Sequence, residues 1–300
     1  MRVATRVRGS TAVAGVIGWP VEHSLSPAIH NAAYDSLGMD WVYVPLPVPP
    51  GSIRAALDGL RALGLRGANV TMPHKTDIAD LVDERSEDAE RLRAVNTVTV
   101  EGDRLLGENT DAPGFERFLR QDAGFDPAGR RSLVFGAGGA ARACALALAR
   151  SGLATLVVAV REPARADALR EALSGLETRL EVVPFDGAGA VDTDLIVNAT
   201  PLGRGGESLP LPPLSTATVA VDLLYRPAAT PLQSAVRGAG GLAFGGLGLL
   251  LHQAALSFER WTGRPAPLEA MSAAALAAFV EEPSSGDVAA DDGGDRTAPA

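Results

Sequence analysis

Cysteine is nearly absent: Cys144 stands alone among 300 residues, so no disulfide can close within the chain and no cysteine-rich metal site can be assembled. Its alanine-rich surroundings, ARACALALAR, point to a small apolar side chain packed in a helix rather than to a reactive thiol. The four histidines are scattered without metal-ligand spacing, which argues against a structural zinc site. Basic residues are short as well, 27 Lys and Arg against 36 Asp and Glu for a net charge of -9, and this balance disfavours a nucleic-acid partner. Long apolar runs are missing: none approaches the ~20 residues that cross a bilayer, so no membrane role is expected. The start, MRVATRVRGS, is basic but lacks the apolar stretch of a signal peptide, so the expectation is a cytoplasmic protein acting on a small molecule. Oligomeric state leaves no readable mark.

What is present is an alternation of apolar runs with helical patterns. AVAGVIG from Ala12 reads as a buried strand. SPAIHNAAYDSLG follows as a helix, with Ser26 as its cap, Pro27 at its first position and Gly38 at its end. The strand WVYVPLPV, the helix SIRAALDGLRALG, the strand GANVTM and the hairpin NTVTVEGDRLLGENTD continue the layered α/β pattern. After the helix PGFERFLRQDAG a second alternation begins with RSLVFGAGGAARACALALARSG, a strand, a glycine turn and a helix. The strands ATLVVAV, LEVVPFD, DLIVNAT and TVAVDLLY follow and predict a parallel, doubly wound sheet of Rossmann type. Two apolar helices close the pattern, GGLGLLLHQAALSFERWTG and PLEAMSAAALAAFV.

The expected architecture is therefore α/β: an N-terminal substrate domain over residues 13–112 and a Rossmann-type dinucleotide-binding domain over 113–242. Helices over 243–282 are expected to return to the first domain, with a flexible start at 1–12 and a disordered tail at 283–300.

VFGAGGAARA fits GxGxxG/A with Gly136, Gly138 and Ala141, directly after a strand and opening a helix. The first small residue permits a tight turn, the second lets pyrophosphate reach the backbone, and the third keeps helix and strand close. The turn Gly136, Ala137, Gly138, Gly139 and Ala140 thus presents amides and a positive helix end to an anion. The second strand ends in Val160 and Arg161 with Arg165 further on, where an NAD-specific fold would place an acid. Paired guanidiniums suit a 2'-phosphate, favouring NADP over NAD; surface arginines are the plainer alternative, and Glu162 between them opposes phosphate.

NVTMPHK, residues 69 to 75, places Lys75 just past a strand's carboxyl end, where open α/β sheets bind ligands; it is equally compatible with an ordinary solvated turn. In GWPVEHSLSPAIHN the hydroxyls of Ser24 and Ser26 sit at a positive helix terminus, an anion site without arginine, or simply a cap. His74 beside Lys75 suggests a proton relay, but neighbouring side chains at a strand end point apart. His30 and His252 lie on helices and read as packing or surface residues.

Taken in order, GWPVEHSLSPAIHN, NVTMPHK, AVNTV, NTDAPG, GAGGAARA, NATPLG, VDLLYRPAATPL and GLGLLLHQAALSFERWTG resemble the shikimate dehydrogenase family over about residues 13 to 263. The resemblance implies reversible NADPH-dependent reduction of 3-dehydroshikimate to shikimate, on the route to chorismate and the aromatic amino acids. It implies Lys75 and Asp111 as the catalytic pair and Ser24 and Ser26 as holders of the substrate carboxylate. Asn69, Thr71, Asn96, Asp111 and Gln253 would hold ring hydroxyls, Tyr225 would border the substrate, and Thr200 and Gly246 would lie on the cofactor. Lys75 would either donate the proton that a reduced ketone needs or remain an ammonium that stabilises the oxyanion. The family's Asn-Arg-Thr cofactor segment is replaced here by Val160, Arg161 and Glu162, and Pro201 stands where Ser is frequent. The rival readings are a quinate/shikimate or aminoshikimate-type dehydrogenase, which shares these motifs but accepts other ring substituents or prefers NAD, and a catalytically silent nucleotide-binding sensor on the same fold.

Overall fold

The computed structural model describes residues 7–281. The expectations for residues 1–6 and for the 283–300 tail lie outside the described residues. Within the start, Ser10 and Thr11 are tied down: their hydroxyls donate to the Asp40 carboxylate at 2.7 and 2.6 Å.

The first half of the chain runs β1 (Ala12–Gly18), α1 (Ser26–Ser36), β2 (Trp41–Pro47), α2 (Ile53–Ala62), β3 (Gly67–Val70), β4 (Glu84–Arg85), α3 (Glu87–Leu92), β5 (Thr97–Glu101) and β6 (Arg104–Glu108). These strands form one six-stranded sheet in the order β2-β1-β3-β5-β6-β4. β1 pairs in parallel with β2 and β3, while β5 runs antiparallel to both β3 and β6. The carboxyl ends of β1, β3 and β6 and the amino end of β5 therefore share one edge. In β1, Ala14, Val16 and Ile17 are all buried, as a parallel strand covered on both faces requires.

α1 ends as expected: Gly38 adopts φ +60° and its N–H and that of Met39 donate to the carbonyls of Asp35 and Tyr34, a Schellman closure. Its start differs from expectation. Leu25, already in helical geometry, occupies the cap position, Ser26 is the first helical residue, and no side chain caps the helix. Instead the Ser24 hydroxyl accepts from the Ser26 N–H at 3.3 Å.

The second half adds α4 (Asp111–Gln121), β7 (Arg131–Phe135), α5 (Gly139–Arg150), β8 (Thr155–Val160), α6 (Asp167–Ala172), β9 (Arg179–Pro184), β10 (Leu195–Asn198), β11 (Val219–Asp222), α7 (Pro231–Gly238) and β12 (Leu242–Gly245), and then α8 (Leu247–Thr262) and α9 (Leu268–Glu281). Its six strands are all parallel, in the order β12-β11-β10-β7-β8-β9. This is the doubly wound sheet the strand pattern predicts. β11 is shorter than the apolar run suggested, and α7 and β12 were not anticipated. LAFG is too short and glycine-flanked to declare itself and becomes a strand by pairing with β11. α7 did carry a signal, the capping box of Thr230 and Gln233 with Pro231 between them.

α8 and α9 pack on α1: Phe258, Met271 and Ala275 share one core with Ile29, Ala33 and Tyr34. Burial of a side chain such as Phe258 is worth ~2–3 kcal/mol, so this contact anchors the C-terminal helices to the first sheet. The helices of the two halves also meet through charge. Arg93 pairs with Glu171 at 2.5 Å, Arg150 with Glu87 at 3.0 Å and with Asp88, and Arg91 donates to the Ser174 carbonyl at 3.0 Å. Burial raises the Asp88 carboxyl above the usual range although Arg150 opposes this.

Candidate active site

The chain after β3 is held by its neighbours before it reaches Lys75. The Thr71 N–H donates to the Ile17 carbonyl at 2.8 Å and the His74 N–H to that of Thr71 at 3.0 Å. Gly18 makes room for this crossing, since a Cβ there would lie 2.4 Å from Thr71 Cγ2. His74 is fully buried and its Nε2 donates to the Val48 carbonyl at 2.7 Å, so it anchors the loop and is no relay to Lys75. The Lys75 carbonyl in turn accepts from the Val95 N–H at 2.8 Å, which sets the lysine beside Asn96 at the head of β5.

There Lys75 Nζ donates to Asp111 Oδ2 at 2.6 Å, and Asn96 Nδ2 donates to Oδ1 of the same carboxylate at 2.8 Å. Asp111 opens α4, where the helix dipole favours a negative charge. The pair is half-buried, with side-chain exposures of 32% for Lys75 and 15% for Asp111. An ammonium has three donor hydrogens, so Lys75 keeps donors for a ligand while one serves Asp111.

Beneath the pair lies a buried layer of amides and hydroxyls. Asn96 Oδ1 accepts from the Thr110 N–H at 2.7 Å, the Thr110 hydroxyl at 3.2 Å and the Thr97 hydroxyl at 3.1 Å. Asn69 Nδ2 donates to Ser257 Oγ at 2.8 Å and Thr97 Oγ1 at 3.1 Å, and Asn69 Oδ1 accepts from the Tyr43 hydroxyl at 2.7 Å. Tyr43 is stacked on His30, centroids 4.3 Å apart, and burial lowers the His30 ring to a pKa of about 3.

The second sheet carries its candidates on its own carboxyl edge. Gly136 follows β7 with φ +100°, and a Cβ there would approach Thr200 Cγ2 at 3.1 Å and the Ala199 carbonyl at 3.2 Å. Gly138 and Gly139, at the start of α5, face open space on the side where a Cβ would project. Thr200, after β10, is oriented from behind: its N–H and hydroxyl donate to Asn198 Oδ1 at 3.0 and 2.7 Å. Asn198 Nδ2 donates to Asp222 at 3.0 Å, a carboxyl raised by burial while Thr230, Leu224 and Asn198 donate to it. Because β7 lies between β10 and β8, Gly136 and Thr200 flank the point where the strand order reverses. Arg161 follows β8 with its guanidinium over the Phe185 ring at 5.7 Å, and Arg165 pairs loosely with Glu162 at 3.4 Å on the surface.

The predicted residues thus fall into groups. Lys75, Asp111, Asn96 and Asn69 form one hydrogen-bonded cluster. Ser24, Ser26 and Thr71 follow β1 and β3 on the same edge. Gln253 is buried on α8, its Nε2 donating to the Leu250 carbonyl at 2.9 Å, one turn from Ser257. Tyr225 lies on the other sheet's edge, 37% exposed, beside a cavity of ≈150 Å³ shared with Gly245, Leu247 and Phe279. The Gly246 N–H donates to the Leu224 carbonyl at 3.1 Å, next to Tyr225. Thr97, Thr110, Tyr43 and Ser257 were missed; a threonine or serine in a strand or helix carries no local signal of what it bonds. Cys144 is fully buried and burial raises its thiol above the usual range. Among the described residues no cluster of His, Cys, Asp and Glu could hold a metal, and no helix is long and apolar enough to cross a membrane.

A lysine–carboxylate pair on one sheet edge and a glycine turn at the switch point of a parallel sheet are the layout expected of a two-sheet, dinucleotide-dependent oxidoreductase. The family model described as "Shikimate dehydrogenase substrate binding domain" matches residues 16–98, and that described as "Shikimate 5'-dehydrogenase C-terminal domain" matches residues 246–276. A shikimate dehydrogenase (NADP(+)) of Geobacter metallireducens is 44% identical over 282 residues, covering 91% of this chain and 99% of that protein. The chain belongs to the shikimate dehydrogenase family. A relative of the same description from Rubrobacter xylanophilus is 49% identical, covering 86% of this chain and 93% of its own. Among solved structures, shikimate 5-dehydrogenase from Thermus thermophilus in complex with NADP(H) and shikimate is similar with a TM-score of 0.80 and 38% identity, covering 89% of this chain and 100% of that one. Quinate dehydrogenase from Corynebacterium glutamicum in complex with NAD is similar with a TM-score of 0.82 and 30% identity, covering 89% and 99%.

Proposed function

We propose that the protein catalyses the reversible NADPH-dependent reduction of 3-dehydroshikimate to shikimate, with Lys75 and Asp111 as its catalytic pair. The 2.6 Å contact between Lys75 Nζ and Asp111, on the edge that also carries Ser24, Thr71 and Asn96, is the observation that carries this reading. The chain's features fit a bound dinucleotide. Gly138 and Gly139 lie at the head of α5 with open space where a side chain would project, and Arg161 and Arg165 are surface forks, one of them in a weak exposed ion pair, within the segment expected to meet a 2'-phosphate.

The nicotinamide, when bound, supplies or accepts the hydride. The protein's part is the proton and the placement of the ring. As the substrate ketone is reduced, negative charge grows on its oxygen, and Lys75 delivers a proton there; in the reverse direction its amine takes the hydroxyl proton. Asp111, held by Asn96, aims the ammonium and accepts from a ring hydroxyl. Ser24, Ser26 and the first amides of α1 receive the carboxylate. Thr71, Asn96 and Gln253 hold ring hydroxyls, Asn69 contributes through the remaining lone pair of Oδ1, Tyr225 borders the substrate, and Gly246 lies on the cofactor side. A cytoplasmic location belongs to the same proposal.

The test is a steady-state assay of purified protein with shikimate or quinate against NADP+ or NAD+. Shikimate with NADP+ should give the highest kcat/KM. A preference for quinate or NAD+ would move the assignment to the quinate branch, for which Glu162 in the cofactor segment is the favouring observation. No turnover with any pair would leave only a nucleotide-binding sensor.

A further inference from the structure

The buried hydroxyl of Thr97 joins the two asparagines of the site. It accepts from Asn69 Nδ2 at 3.1 Å, donates to Asn96 Oδ1 at 3.1 Å, and lies 2.9 Å from Ser257 Oγ and 3.1 Å from Thr110 Oγ1. Its residue is fully buried, so no water can substitute for these partners. A hydroxyl has one proton, and here its best use is toward Asn96, because Asn69 Nδ2 can only donate. That assignment keeps Asn96 Oδ1 on the hydroxyl side and turns Asn96 Nδ2 toward Asp111, where it is found at 2.8 Å. Ser257, which reaches the layer from α8, both approaches Thr97 and accepts from Asn69 at 2.8 Å, so the C-terminal helix is coupled to the same amides.

We propose that Thr97 is a positioning residue for the Lys75–Asp111 pair, acting through the amide of Asn96 with Ser257 as its support; this rests on the oxidoreductase reading above. It touches neither the lysine nor the carboxylate, and its effect is on their alignment at the moment of proton transfer. Removing its hydroxyl while keeping its shape therefore slows turnover and leaves substrate capture through Ser24 and Ser26 intact.

The experiment compares wild type, Thr97→Val, Thr97→Ser and Ser257→Ala in shikimate oxidation by NADP+, with thermal unfolding in parallel. Thr97→Val should lower kcat about tenfold with KM for shikimate within about twofold, the scale of one lost buried hydrogen bond. Thr97→Ser should restore most of kcat, and Ser257→Ala should lower it about threefold. Unchanged kcat in a folded Thr97→Val protein, or no recovery with Thr97→Ser, overturns the proposal. Should Thr97→Val fail to fold, unchanged kcat in Ser257→Ala overturns it equally. An inactive wild type would instead bring down the functional reading, and the inference with it.

Discussion

The two sheet edges differ in how complete they are. At the first edge nearly every polar group already has a protein partner: Asp111 is held by Lys75 and Asn96, Asn96 by Thr97 and Thr110, and Asn69 by Tyr43 and Ser257. At the second edge the groups nearest the expected ligand are bare. Gly138 and Gly139 face open space, and the arginines after β8 lie on the surface with one aromatic and one loose acidic neighbour. On the proposed function, the first edge is organised in advance for chemistry, where misalignment costs rate, and the second is left open for a ligand whose binding it must supply. Substitutions at the first edge should act on kcat and stability, and those at the second on KM for the dinucleotide.

The strongest challenge to this division is Lys75→Ala. It should lower kcat by roughly three orders of magnitude, the scale of general acid–base catalysis, with little change in KM for NADP+. Unchanged turnover at every pH would remove the lysine from the mechanism.

Next in size is the acid sensitivity of the first region. His30 is held neutral by burial, its pKa lowered from 6.5 to about 3, so between those values the unfolded chain binds a proton that the folded one refuses. Stability contributed by this group is complete above pH 6.5 and is lost as pH falls toward 3. His30→Phe, which keeps a ring against Tyr43, should reduce the stability difference between neutral pH and about pH 4.5 by ~2–3 kcal/mol in urea unfolding. Parallel losses in both proteins would show that His30 is not the sensor.

On the second edge, Gly136→Ala should cost ~1–3 kcal/mol of stability, because φ +100° strains any side chain and Thr200 crowds the new Cβ at 3.1 Å. KM for NADP+ should rise about tenfold while KM for shikimate holds. The smallest effect belongs to Arg161→Ala, on a guanidinium spread over Phe185 at 5.7 Å. It should raise KM for NADP+ several-fold, leave that for NAD+ unchanged, and alter stability by no more than ~0.5 kcal/mol. Equal losses with both dinucleotides would place the 2'-phosphate elsewhere.

The same contrast explains what could be read in advance. The glycine turn is a local device: the spacing of Gly136, Gly138 and Ala141 after the apolar residues LVF carries its geometry within ten positions of chain. Lys75 was legible by its place after a strand, and Asp111 only through the family resemblance, because nothing near either residue announces the other. The hydroxyl layer was not legible at all. Ser257 lies 188 positions from Asn69 and 160 from Thr97, and each is an ordinary polar residue in its own element. α7 could have been found from its capping box; β12 could not, since LAFG is a strand only against β11. The misplaced cap at Ser26 has a similar cause, for the chain turns helical one residue earlier than the side-chain preference indicates.

Alternating apolar runs were enough by themselves to determine two α/β sheets, and the glycine spacing marked the turn at which a dinucleotide is expected. These depend on interactions between residues a few positions apart, which the order of the chain dictates. Tertiary structure alone decided that Lys75 meets Asp111, that His74 turns inward, and that a serine from the last third of the chain lies beneath the site. Hydrogen bonds of that kind have a range of about 3 Å and no reach along the sequence, so only the packing of α8 on the first sheet could bring their partners together.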